Sequence, residues 1–302
     1  VSAVIESKIS DVIVLFLGLI VEATPFIFIG VTVSVLIALF FNSEKLFALL
    51  PKNPIIRRFL LSIMGMFMPV CECGNVPVVR RLMLKGFSVS EAMTFMLAAP
   101  IVNPITFWTT WEAFSDSHEM AWARLLAAIL IANGVGILFS LVKKQESLLT
   151  APFYKQMCDV HDHDHDHGSK WQEAKEIFTT EFMQNFKMLA LGAFIAALFQ
   201  VIIPREIVLA IGGNIFMSII AMILLAFVIS ICSNVDAFFA LSYSSSFPLG
   251  ALLSFLIFGP MIDIKILMML KDTFKPKVLV VMTLFVALSS ILAGLTFHLF
   301  WQ

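Results

Sequence analysis

Charge is scarce in this chain. Asp, Glu, Lys and Arg together make up 14% of its 302 residues, and the formal net charge is −1. That balance excludes an ordinary water-soluble domain and leaves no basic surface for nucleic acid. Cysteine is sparse too: Cys71, Cys73, Cys158 and Cys232 are too few and too scattered for a secreted disulfide scaffold. The start lacks a basic region followed by a small-residue cleavage site, so no signal peptide is read there. What is abundant is apolar surface. Sixty per cent of the residues are hydrophobic, 30 of them Phe, and the mean hydropathy is +0.95. Several runs approach the roughly 20 residues needed to cross a bilayer core. The expected fold class is an all-α polytopic membrane protein embedded in a lipid bilayer.

Apolar length gives eight candidate segments, near 12–41, 59–79, 88–111, 121–142, 188–203, 207–246, 248–270 and 278–301. They divide the chain into a first membrane unit (1–142), a cytoplasmic linker (143–187) and a second membrane unit (188–302). The two units resemble each other. Cys73-Gly74-Asn75-Val76-Pro77 matches Cys232-Ser233-Asn234-Val235-Asp236 at an offset of 159, and Ala99-Pro100-Ile101-Val102-Asn103 matches Gly259-Pro260-Met261-Ile262-Asp263 at 160.

Charge placement then tests the topology. If all eight segments cross, the 20 Lys and Arg residues fall ten to each side, against the positive-inside tendency. If the segments holding Cys73 and Cys232 instead dip in and return, only Lys8, Arg124 and Arg205 lie outside. Each unit then has three crossings and one re-entrant hairpin. An odd number of crossings inverts the second unit relative to the first, an arrangement that transporters use.

Within this apolar background, Val70-Cys71-Glu72-Cys73-Gly74-Asn75-Val76-Pro77 stands out. Gly74 and Pro77 are expected to break the helix, and broken backbone at membrane depth is tolerated only where protein or water satisfies it. A carboxylate such as Glu72 costs several kcal/mol there, about 2.5–3.5 on insertion scales, unless it is paired, protonated or bound to a cation. Thiolates select soft or borderline ions. The expected substrate site comprises Cys71, Glu72, Cys73, Asn75 and Asn103 from the first unit with Cys232, Asn234, Asp236 and Asp263 from the second. The plain alternative is that the three thiols are small core residues while Asn75 and Asn234 cap half-helices. Glu22, beside Pro25, is either a coupling proton carrier or an interfacial carboxylate. Arg80 and Arg81 read as interfacial anchors.

The linker contains His161-Asp162-His163-Asp164-His165-Asp166-His167. Alternating imidazoles and carboxylates make a flexible multidentate site for zinc, nickel or copper, suited to buffering, delivering or sensing an ion. Cys158, just upstream, could add a thiolate but reads more simply as a bystander.

MPVCECGNVPVVRRLMLKG, the following AAPIVNP, and the later CSNVDAFFA and FGPMIDIK resemble the ArsP/YraQ-type predicted permeases over nearly the whole chain. The resemblance implies a multi-pass permease of the bacterial inner membrane with neither cofactor nor ATPase domain. Members of that family export organoarsenicals and others are associated with zinc acquisition, so two substrates stay open. The His-Asp run favours a divalent transition metal such as zinc, carried as cargo or held by the loop, with an accessory metal-binding protein as a partner. A trivalent organoarsenical efflux permease is the alternative, and a non-transporting metal sensor or scaffold is a third reading. An enzyme is not expected. Asp236 and Asp263 could imitate a protease dyad, but neither sits in a Gly-x-Gly-Asp setting, and their repeat counterparts, Pro77 and Asn103, do no acid–base chemistry.

Overall fold

The computed structural model describes residues 2–40, 51–67, 71–162, 170–202 and 214–301. His163 to His167, Lys45, Arg205 and the first residues of the 207–246 segment lie outside the described residues. The described regular elements are helices, in the order α1 (Ser2–Phe40), α2 (Pro54–Met64), α3 (Glu72–Leu84), α4 (Val89–Ala98), α5 (Pro104–Ala113) and α6 (Glu119–Ser140), then α7 (Ala151–Asp162), α8 (Lys170–Ile202), α9 (Ile215–Ile229), α10 (Asp236–Leu241), α11 (Leu249–Met261), α12 (Ile264–Leu270) and α13 (Pro276–Phe300). This is an all-α polytopic membrane fold. Among the described residues, four single helices and the broken α11–α12 pair are long and apolar enough to span a bilayer.

Local chemistry explains where the chain stops and restarts. Asn53 caps α2 by accepting from the Ile55 N–H, and Pro54 fills the first helical position, where a missing donor costs nothing. Ser88 and Glu91 close α4 with a reciprocal capping box. Two membrane-depth breaks are made alike: Asn103 accepts from Ile105 N at 2.9 Å to start α5, and Asp263 accepts from Ile266 N at 2.6 Å to start α12.

Packing sorts the helices by role. All ten residues of α4 and all thirteen of α3 are buried, as expected of elements surrounded by protein. The long α1, α6, α8 and α13 instead expose rows of Ile, Leu and Phe, such as Val21, Leu130, Leu191 and Leu288. In a bilayer those rows face acyl chains. The outer helices therefore shield short central ones that could not survive in lipid.

α2, α4 and α6 pack together, as do α9, α11 and α13. A Cβ on Gly136 would meet Thr94 Oγ1 at 2.0 Å, and one on Gly294 would meet Ser254 Oγ at the same distance. Thr94 and Ser254 each donate to the carbonyl four residues back. α1 and α8, the opening helices of the two halves, run antiparallel: Phe16 pairs with Phe194, while Phe28 pairs with Phe178 and Phe182.

Specific contacts define the two ends of the bundle. At one end Lys85 Nζ donates to Ala38 O, Ser90 N to Gln145 Oε1, and Thr150 N to Thr273 O. Arg57, in the first turn of α2, pairs with Glu91 in the first turn of α4. α3 ends at the same level and turns through Gly86 (φ 100°) directly into α4. Hence α2 and α3 form a hairpin that enters and leaves at one end. At the other end, the backbones of Gly250 and Gly294 touch, with Ile219 of α9 beside them. The α9–α10 hairpin enters there.

Three expectations need correction. Gly74 and Pro77 do not break the helix: α3 runs through both, and the interruption lies on their N-terminal side. Pro77, in the second turn, withholds an N–H from the Cys73 carbonyl and crowds it, a cost that the complete burial of α3 among its neighbours outweighs. The 143–187 linker is not a loop throughout, since it contains α7 and the first half of α8. Hydropathy saw only the apolar half of that long helix. Arg80 and Arg81 are not interfacial anchors but buried side chains, each 7% exposed. Arg81 pairs with Glu181 of α8, while Arg80 donates to Gln184 and lies 5.2 Å over the Phe153 ring.

Candidate functional site

The tips of the two hairpins meet inside the bundle. In the first, Cys71 is the residue before α3, and its carbonyl accepts from Gly74 and Asn75. The N–H groups of Glu72 and Cys73 begin the helix, so its positive dipole end faces the site. α3 reaches this depth only because glycines meet: a Cβ on Gly30 of α1 would lie 2.0 Å from Gly74 O. In the second hairpin α9 stops at Ser230, whose φ of 52° is the left-handed region. Such a conformation costs a β-carbon residue about 1–3 kcal/mol, and strain of this kind gathers at functional sites. The turn that follows delivers Cys232.

One ligand atom from each of Cys71, Glu72 and Cys73 lies within 4.8 Å of the others, all three buried. Cys232 adds a third thiol, within hydrogen-bonding reach of Cys71. Asp263, at the break between α11 and α12, presents its second carboxylate oxygen to the same region. Lys265 Nζ stands 3.9 Å from Glu72 Oε1 and 3.8 Å from Asp263 Oδ2, with every side chain involved 1–2% exposed. Glu22, half-buried on α1, is close enough to act electrostatically on both Glu72 and Lys265. Glu72 Oε2, Asp263 Oδ2 and both polar atoms of Asn75 have no hydrogen-bond partner among the described residues. Orphaned polar atoms at this depth are costly.

A second polar cluster lies beside the first. Arg124 of α6, 1% exposed, donates to Asp236 Oδ2 at 2.5 Å and to Thr110 at 2.7 Å. Thr106 donates to Pro100 O at 3.0 Å and approaches Asn234 Oδ1 at 3.4 Å. The nine residues singled out from sequence therefore divide. Cys71, Glu72, Cys73, Cys232 and Asp263 converge, with Asn75 one turn into α3. Asn234 and Asp236 belong to the Arg124 cluster, and the Asn103 side chain is engaged as a helix cap. The caps are thus Asn103 and Asp263, not Asn75 and Asn234. Sequence reasoning missed two participants. Lys265, two residues beyond Asp263 inside an apolar run, enters the sequence reading only through the charge count, and Arg124 is placed there among the outer-side charges although it sits within a hydrophobic helix. Of the His-Asp run, His161 and Asp162 end α7.

A family profile described as Predicted permease (ArsP_1) matches residues 8–299. UPF0718 protein YcgR of Bacillus subtilis (strain 168) is 39% identical over 267 residues, covering 87% of this chain and 88% of that protein. A protein of Streptococcus mutans serotype c described as a putative two-component membrane permease complex subunit is 35% identical over 276 residues, covering 90% of both chains. No solved structure matches. A polar, thiol-bearing centre enclosed by lipid-facing helices agrees with a match spanning almost every residue, and the chain belongs to the predicted permease family.

Proposed function

We propose that this chain is a secondary permease for a soft or borderline metal species, foremost a divalent transition metal such as zinc, moving it across the bacterial inner membrane. The observation that carries the reading is the Cys71–Glu72–Cys73 group, whose ligand atoms lie within 4.8 Å of one another. The thiols of Cys71, Cys73 and Cys232 form the part of the donor set that favours soft and borderline ions, while the Glu72 carboxylate suits harder ones as well. The two hairpins entering from opposite ends and the antiparallel α1 and α8 support an inverted-repeat transporter with its substrate at the repeat interface. The two units are 1–142 and 188–302, joined by the 143–187 linker. The His-Asp run (His161 to His167) buffers or delivers the ion, and Glu22 is placed to couple ion movement to protons. The Streptococcus mutans relative is described as a subunit of a two-component complex, which supports a partner subunit here as well.

One observation favours the arsenical alternative. Three gathered thiols suit trivalent arsenic, which needs no carboxylate. Flux into proteoliposomes decides between them, screened across zinc, cobalt, nickel, copper(I) and methylarsenite. Cys73→Ser should lower flux of the true substrate by roughly tenfold or more, since losing even 1.4 kcal/mol of ligand bonding is a factor of ten. Glu72→Gln should impair zinc but spare methylarsenite. The lipid-facing Phe40→Leu serves as control at matched protein levels. Wild-type flux in both site variants would overturn the assignment.

A further inference from the structure

Lys265 is a charge that the transport reading does not use, and its position demands an account. It stands on α12, two residues beyond the break that Asp263 caps, with its Cα held against α8: a Cβ on Gly192 would meet that Cα at 2.9 Å. The side chain is 2% exposed. Its ammonium lies 3.9 Å from Glu72 Oε1 and 3.8 Å from Asp263 Oδ2. These distances are attractive electrostatically but too long for hydrogen bonds. The ammonium is therefore shared between two carboxylates from different halves and locked to neither. Among the described residues, Glu72 Oε2 and Asp263 Oδ2 make no hydrogen bond within normal geometry, although Ser230 lies close enough to act on Asp263. Cys73 is near enough to act on the same ammonium.

We propose that Lys265 determines the specificity of this site: its ammonium is a tethered counter-ion of Glu72 and Asp263 that an incoming cation must displace. Two unlike charges explain why the carboxylates persist at membrane depth, and two like charges explain the selection. A hard cation such as manganese gains only the carboxylates, which Lys265 already neutralises, and must approach an ammonium to reach them. A soft or borderline cation gains bonds to Cys71, Cys73 and Cys232 that the ammonium cannot make. Only the second kind has a surplus with which to move Lys265 aside. Selectivity then rests on a built-in competitor as much as on the ligands themselves, as specificity commonly does. The inference deepens the metal reading above and rests on it.

The test is binding of zinc and of manganese to the full chain in lipid nanodiscs, by equilibrium dialysis with radioactive metal, for wild type, Lys265→Met, Lys265→Gln and Lys265→Arg. The expected result is that Lys265→Met and Lys265→Gln tighten manganese by roughly tenfold or more while zinc changes far less, so that the zinc-to-manganese preference collapses. Lys265→Arg should keep the wild-type preference. A variant that folds poorly would lose both metals together, and the preference ratio separates that from the proposed effect; the two neutral variants guard against a defect peculiar to either. An unchanged ratio in both neutral variants overturns the proposal. If wild type binds no metal, the metal reading fails; manganese binding gained in the neutral variants would still uphold the tethered counter-ion, and its absence would overturn that too.

Discussion

At the scale of single residues, Arg124–Asp236 is the most deeply buried ion pair outside the thiol site among the described residues. It joins α6 of the first half to α10 of the second, with both side chains 2–3% exposed. Arg124 Nε and Asp236 Oδ1 are left without hydrogen-bond partners among the described residues. A buried pair of this kind contributes little net stability against a well-packed apolar replacement, but removing one partner strands the other. Arg124→Met or Asp236→Leu alone should therefore cost about 3–5 kcal/mol, read as a drop in the thermal midpoint of the detergent-purified protein. The double variant Arg124→Met/Asp236→Leu should recover most of that loss. Equal damage in single and double variants would show that the cost lies in packing, not in the stranded charge.

At the scale of elements, the close approach of α1 and α3 decides whether Cys71 and Glu72 reach their depth. Gly30 faces Gly74, and a methyl group there would overlap Gly74 O. Neither backbone can yield without moving the N-terminus of α3. Gly30→Ala should thus destabilise by about 1–3 kcal/mol, the usual cost of overpacking, and depress flux. Gly18→Ala on the same helix meets nothing within 4 Å and should be neutral or mildly stabilising, because Ala is the better helix former. If the two substitutions behave alike in thermal stability and flux, the Gly30–Gly74 contact does not position the site. Sequence revealed parts of this arrangement. CECGN beside apolar runs and the offset echo at CSNVD disclosed two interruptions and which thiols meet. The helix starts at Asn103 and Asp263 were not legible as such: the sequence reading places both residues in the substrate site and assigns capping to Asn75 and Asn234. The continuous α3 was not legible, because Gly and Pro are ordinary breakers and only tertiary burial keeps the helix intact across them. Lys265 and Arg124 escaped notice for a related reason: a charge count treats each cation as belonging to a loop, and nothing in local pattern says that its partner lies 112 residues away in sequence, as Asp236 does from Arg124.

At the scale of the whole molecule, the paired hairpins explain the charge asymmetry that sequence exposed. Lys52, Arg57, Lys85, Lys143, Lys144, Lys275 and Lys277 all gather at the end where α2 enters and α3 leaves, tied together by Arg57–Glu91, Lys85–Ala38 and Lys275–Ser147 contacts. Arg124, one of the three cations assigned to the opposite side, is buried with Asp236 and is no loop charge at all, which sharpens the contrast. By the positive-inside tendency the Lys-rich end is expected to be the cytoplasmic one. Single cysteines placed at Lys52, Lys144, Glu119 and Ser244, all exposed, in a background lacking the native four, test the arrangement by membrane-impermeant labelling. Lys52→Cys and Lys144→Cys should react from one side, Glu119→Cys and Ser244→Cys from the other. Eight straight crossings would pair Lys52 with Glu119 and Lys144 with Ser244 instead. That outcome would separate Arg57 from Lys85 across the bilayer, which the shared contacts of α2, α3 and α4 at one end of the bundle do not permit.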